Sequence, residues 1–259
     1  MPTLTLVLWG LVTLLTLLLV ARLFWSGQCP VYPFFTAYLV VNLLQTVVGV
    51  FLYQWYGFES MFSFQLAWTT QAVVVVARAF AAGEVCWLAL RRYKGVWALA
   101  VRILLACGIL VLGLTLYFGR MGYQYAVITL EVGLEAFIAT WIVGLFLFAR
   151  YYQVDVPRTL RLLGLGLGLH SCLKILNDLV FEKYAKTYVT HWNDVTSGSF
   201  VAILLIWLWA LKAPVEVRAI APSLRAAHIY RTLMPQVNQR LLELNERLSQ
   251  LWHLESTKL

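Results

Sequence analysis

The sequence predicts an all-α integral membrane protein, a bundle of seven transmembrane helices followed by a cytoplasmic amphipathic helix. Hydrophobic residues make up 61% of the chain and charged residues only 12%, whereas an ordinary soluble domain contains about 25% charged residues. Seven apolar stretches occupy most of the first 212 residues, and each is long enough to cross a bilayer core, which needs about 20 residues. Lys and Arg also gather on alternate loops between these stretches, as they do in multi-pass membrane proteins.

The seven stretches define the predicted helices in order. They cover residues 4–24, 33–54, 61–90, 95–118, 124–149, 159–181 and 194–212. The first stretch has no Lys or Arg before it and no small-x-small cleavage site after it, so we interpret it as a membrane span and not as a signal peptide. The sequence therefore predicts a transmembrane domain over 1–212 and a cytoplasmic tail over 213–259.

The basic residues predict the orientation of the bundle. With seven spans, fifteen of the 20 Lys and Arg fall on the side of the C-terminus and three on the other side. Because cytoplasmic loops collect Lys and Arg, we expect the N-terminus outside and the C-terminus in the cytoplasm, in an inner or plasma membrane. The net charge of +8 then meets anionic lipid headgroups, and we expect the lipid bilayer, and no nucleic acid, as the partner of this basic side.

Charged residues inside the spans are the candidate functional residues, because each costs roughly 2.5–3.5 kcal/mol at the bilayer centre. Glu131 and Glu135 lie four residues apart in the fifth span, and so do His170 and Lys174 in the sixth. The two helices run in opposite directions. Glu131 and Lys174 therefore lie about 10 Å from the outer end, and Glu135 and His170 lie about 16 Å from it. We expect the pairs Glu131–Lys174 and Glu135–His170.

Further polar residues accompany these pairs toward the outer mouth of the bundle. Asn177 and Asp178 follow Lys174 on the sixth span, and Asp194 begins the seventh. One interpretation is a polar cavity that opens outward among helices 5, 6 and 7 and binds an ion or a small zwitterion. The other is an internal salt-bridge network that fixes the register of the helices and does no chemistry.

The third span carries two more charges, Arg78 and Glu84. Glu84 lies at the same depth as Arg102 of the fourth span, which predicts a structural ion pair. Arg78 has no acidic residue at its own level, and we expect it to pair with Glu135 or to bind an anion. We therefore include Arg78 among the candidate binding residues.

Two surfaces are candidates for protein contacts. Leucines and Val237 recur at alternating spacings of four and three in the tail, which predicts a short heptad helix over about 236–254 that needs a partner. The small-xxx-small spacing of Gly164 and Gly168 allows another helix to approach closely. A protein partner or self-association through either surface is consistent with these patterns. A further interpretation of the tail helix is that it lies on the membrane surface.

The sequence contains no nucleophile–base set, no cofactor motif and no metal-ligand spacing. We therefore expect neither enzymatic activity nor a cofactor nor a metal site. The first functional hypothesis is a sensor or receptor-like protein that binds a small ligand in the cavity and signals through the C-terminal helix. The alternatives are a non-catalytic subunit of a larger membrane complex and a proton- or ion-coupled transporter of a small solute.

Overall fold

Every regular element that the structure describes is an α-helix. The computed structural model describes residues 3–55, 60–91, 93–120, 122–152, 154–212, 233–244 and 246, with the side chains of 3–6, 53–54, 94, 124 and 178–193 left out. The main helices are α1 (Thr3–Trp25), α2 (Pro33–Trp55), α3 (Met61–Leu90), α4 (Lys94–Gly119), α5 (Tyr123–Tyr151) and α6 (Arg158–Ala210). One compact unit comprises Met1–Phe146 and Val156–Glu216, and a second comprises Leu147–Asp155 and Val217–Leu259.

Six helices in the described ranges are long and apolar enough to cross a membrane. The apolar segments are Val7–Trp25, Pro33–Leu52, Met61–Leu90, Gly95–Gly119, Tyr125–Tyr151 and Arg158–Asn177, and Asp194–Ala210 is a shorter apolar helix. The chain is therefore a helical, multi-pass membrane protein, as its composition predicts. The number of crossings depends on how α6 is arranged.

Helix α6 folds back on itself. The Thr159 hydroxyl donates to the carbonyl of Ala210 at 3.4 Å, and the Trp207 indole N–H donates to the carbonyl of Leu163 at 3.3 Å. A straight helix of 53 residues would hold its ends about 80 Å apart. The chain therefore reverses direction between residues 177 and 194, and two arms, 158–177 and 194–210, pack side by side.

The C-terminal end of α1 meets the end of α6. Helix α1 ends in a Schellman motif, in which the N–H of Gln28 donates to the carbonyl of Leu23 and Gly27 adopts a positive φ of 66°. Beside this turn, Arg22 Nε and Gln28 Nε2 donate to the carbonyl of Leu211 at 3.2 and 3.5 Å. These side chains satisfy a carbonyl just after the end of α6, where no further helical turn can do so.

Trp207, in the second arm of α6, is fully buried. Its ring lies edge-on to Phe35, with the ring centroids 5.1 Å apart, and edge-on to Tyr38 at 6.2 Å. A Cβ at Gly166 would overlap the indole of Trp207, so the glycine provides the space that the tryptophan fills.

The Gly164/Gly168 face is occupied within the chain. A Cβ at Gly168 would lie 3.1 Å from Ile142, and a Cβ at Gly164 would lie 3.3 Å from Phe146. Both contacts are to α5, which approaches α6 closely at these two glycines. The small-xxx-small spacing therefore serves packing between α5 and α6.

The described part of the tail is helical over 233–244. Its apolar side chains are exposed, and they are Leu233, Met234, Val237, Leu241, Leu242 and Leu244. Apart from residue 246, the remainder of the predicted heptad helix, to residue 254, lies outside the described residues.

Candidate functional site

Four charged side chains of α3, α5 and α6 form two clusters of contacts. Arg78 and Glu135 are buried almost completely, with 2% and 0% of their side-chain surfaces exposed, while Glu131 is 8% and Lys174 31% exposed. Because an isolated charge in a medium of low dielectric constant is strongly disfavoured, each acid lies against a cation. The Arg78 cluster consists of Arg78, Glu135 and Tyr38. The Glu131 cluster consists of Glu131, Lys174, Gln71 and Gln45.

In the Arg78 cluster, the guanidinium Nη1 donates to the Oε1 atom of Glu135. The guanidinium also lies over the ring of Tyr38, 5.4 Å from its centroid, within the range of a cation–π contact. Among the described residues, Arg78 Nε and Glu135 Oε2 have no hydrogen-bond partner. The pair is therefore close but leaves hydrogen-bonding capacity on both sides.

In the Glu131 cluster, four side chains from four helical segments form one chain of contacts. Gln45 Nε2 donates to Gln71 Oε1 at 2.7 Å, and Gln71 Nε2 donates to Glu131 Oε1 at 2.6 Å. Lys174 Nζ lies 3.5 Å from the same Glu131 oxygen. The contact between Glu131 and Lys174 is the one that the matching depths predict, and the glutamines fix the orientation of the carboxylate.

A cavity of about 280 Å³ lies beside both clusters. Its wall is contributed by both arms of α6, which correspond to the predicted helices 6 and 7, together with α1, α2 and α3, whereas the predicted helix 5 contributes none of the described lining residues. The lining residues are Trp9, Val12, Asn42, Gln45, Thr46, Gln71, Val74, Arg78, His170, Leu173, Lys174, Asn177, Thr196, Ser197 and Phe200. The two glutamates of α5 are not among the lining residues. Glu135 contacts Arg78, and Glu131 contacts Lys174.

His170 lines the cavity but does not pair with Glu135, whose partner is Arg78. The imidazole packs instead against Phe200 of the opposite arm, with the ring centroids 4.5 Å apart. Residue spacing predicts one height for Glu135 and His170, but a shared height does not by itself bring two side chains into contact. Arg78 thereby occupies the position that the prediction gave to His170.

The predicted pair of Glu84 and Arg102 is also wrong. The Glu84 carboxylate accepts the backbone N–H groups of Phe34 at 3.2 Å and Phe35 at 2.8 Å, and Arg102 is exposed on α4. A carboxylate is favoured there because the first N–H groups of α2 have no partner within the helix. Burial and the charge of Glu84 raise the pKa of Tyr32 in the preceding loop.

The polar residues near the predicted mouth are only partly described. Asn177 lines the cavity, Asp194 is half-buried at the start of the second arm, and the side chain of Asp178 lies outside the described residues. Sequence reasoning missed the contribution of α1, because Trp9 and Val12 are ordinary apolar residues of a span whose one charge, Arg22, lies in its last turn. In the described ranges, no three His, Cys, Asp or Glu residues are grouped as ligands of a metal ion.

No protein-family model matches this chain, and neither a curated protein nor a solved structure is significantly similar to it. The geometry of the site therefore carries the functional argument.

Proposed function

We propose that the protein is a seven-helix membrane sensor or receptor-like protein. Its cavity binds a small polar solute, and the C-terminal helix transmits the bound state to a partner. The observation that carries the proposal is the cavity itself. Two cations and several amide and hydroxyl side chains line one cavity within the predicted spans, where polar groups are costly and usually functional.

Two features support seven crossings with the N-terminus outside. The arms of α6 contact each other at Thr159–Ala210 and Leu163–Trp207, so each arm accounts for one passage across the bilayer. The division of the basic residues, fifteen against three, then puts the C-terminus in the cytoplasm. In this orientation the cavity lies in the outer half of the bundle, on the side from which an external solute would arrive.

The tail supports a docking role. The apolar side chains of the helix over 233–244 are exposed, and an amphipathic helix with an exposed apolar face is a common ligand for a groove on another protein. The same observation favours the second candidate, a non-catalytic subunit of a larger membrane complex. In that case the buried ion pairs would only fix the helix packing.

A thermal-stability screen of the purified full chain in mild detergent tests the proposal. Amino acids, carboxylates, amines and neutral polar solutes are added singly, since any solute that binds only the folded state raises its stability. We expect at least one solute to raise the unfolding temperature saturably. The shift should vanish in Ser197→Trp, which fills the cavity, and persist in Ser199→Trp, whose hydroxyl instead donates to Val195 within the second arm.

Stabilisation that is equal in both tryptophan variants, or absent for every solute, would overturn the proposal. A stoichiometric protein partner in such a preparation would then favour the complex subunit. Uptake of the stabilising solute into proteoliposomes would overturn the sensor in favour of a transporter.

A further inference from the structure

The formal charges on the described lining of the cavity are all positive. Its two formally charged lining residues are both cations, Arg78 and Lys174. The acids that balance them, Glu131 and Glu135, belong to α5 and are not among the lining residues. A solute in the cavity therefore meets the cationic partner of each ion pair first.

Lys174 retains hydrogen-bonding capacity on the side of the cavity, and Arg78 adds a second positive charge to the wall. Lys174 carries three N–H donors and is 31% exposed, and among the described residues it contacts the carboxylate of Glu131 at 3.5 Å. Arg78 is buried, and among the described residues its Nε has no hydrogen-bond partner. Charge-assisted hydrogen bonds are about twice as strong as neutral ones, so an anionic oxygen is a better acceptor than water for the Lys174 ammonium.

The apolar lining residues and the volume of the cavity restrict the polarity and the size of the solute. Val12, Val74, Leu173 and Phe200 give the cavity an apolar side. Its volume of about 280 Å³ is at the lower end of the range for small-molecule sites, roughly 300–1,000 Å³. A short apolar group fits this side of the cavity, whereas a second charged group would be left without a counter-charge among the described lining residues.

We infer that the ligand is a small monocarboxylate with a short apolar body. Its carboxylate lies between Lys174 and Arg78, and its body lies against Val74, Leu173 and Phe200. This inference rests on the proposed function, because it assigns the chemical class of the solute that the cavity binds. The carboxylate competes with Glu131 for Lys174, while Gln71 keeps its 2.6 Å contact with Glu131.

The test compares three solutes of nearly equal size on the full chain in detergent. Butyrate carries the carboxylate, butyramide is the neutral analogue, and butylammonium reverses the charge. The unfolding temperature is measured against the concentration of each solute at constant ionic strength. Chloride is titrated in the same way as an inorganic anion. We expect a saturable rise with butyrate and no saturable rise with butyramide, butylammonium or chloride.

Variants of the cavity and of the surface separate binding from a general effect of charge. Lys174→Gln should weaken the apparent affinity for butyrate by about tenfold or more, because a charge-assisted hydrogen bond is lost. Arg102→Gln removes a cation that is exposed on α4 and should leave the affinity unchanged. An equal loss in both variants would overturn the inference.

The outcomes also distinguish this inference from the proposed function. A saturable rise in unfolding temperature with butylammonium or chloride but not with butyrate would contradict a carboxylate ligand. It would still support the proposal that the cavity binds a small solute. If butyrate and every solute of the wider screen fail to stabilise the chain, both the inference and the proposed function are overturned.

Discussion

The pair of Arg78 and Glu135 provides the sharpest test of the packing of the bundle. Their side chains are 2% and 0% exposed, so removing either partner alone leaves the other charge buried. Such a loss costs about 3–5 kcal/mol, whereas replacing both partners with apolar residues is often neutral or stabilising. We therefore expect Arg78→Met and Glu135→Leu each to be strongly destabilising and the double variant to recover most of the loss.

Thermal unfolding followed by tryptophan fluorescence measures this effect, since the chain contains 11 Trp. At about 2–4 °C per kcal/mol for a chain of similar size, each single variant should unfold roughly 6–20 °C below the natural protein. The matched control is Arg102→Met, whose side chain is exposed and whose effect should stay within about 0.5 kcal/mol. A double variant as unstable as the sum of the two single variants would refute the coupling.

Three further predictions concern separate parts of the chain. Glu84→Gln should lower the free energy of unfolding by about 1.5–3 kcal/mol, because the first N–H groups of α2 lose their charged acceptor. Arg102→Gln should not lower it. Equal losses for the two variants in denaturant titrations would support an ion pair between Glu84 and Arg102. Gly166→Ala should lower the free energy of unfolding by about 1–3 kcal/mol, because the added Cβ overlaps Trp207. Gly108→Ala should be tolerated, because the space around its Cβ is open. Thermal unfolding of both variants measures the difference, and equal stability would contradict the close packing of Gly166 against Trp207. A reporter enzyme active only outside the cytoplasm, fused to the C-terminus, should remain inactive, and activity would overturn the orientation.

The sequence predicts the depth of the buried charges because the rise of an α-helix is constant. Glu131 and Lys174 lie about seven residues from the predicted outer ends of their helices, and the structure joins them at 3.5 Å. Depth does not fix the direction in which a side chain leaves its helix. Glu135 therefore pairs with Arg78 and not with His170, which packs against Phe200.

Two other features could not be derived from local sequence. Glu84 binds the first N–H groups of α2, and backbone groups carry no sequence signal that distinguishes them as partners. The position of the cavity depends on α1, whose Trp9 and Val12 resemble any lipid-facing residues of an apolar span. The apolar spans were predictable because bilayer thickness imposes a minimum length on each, while the arrangement of the helices around the cavity depends on long-range packing.

Native mass spectrometry of the full chain released from detergent tests most directly whether the cavity binds a small solute. We expect a species heavier than the bare chain by one small molecule, absent in Lys174→Gln and retained in Arg102→Gln. A bare chain in all three preparations, or a chain bound only to a stoichiometric protein partner, would contradict the sensor and assign the buried charges to helix packing.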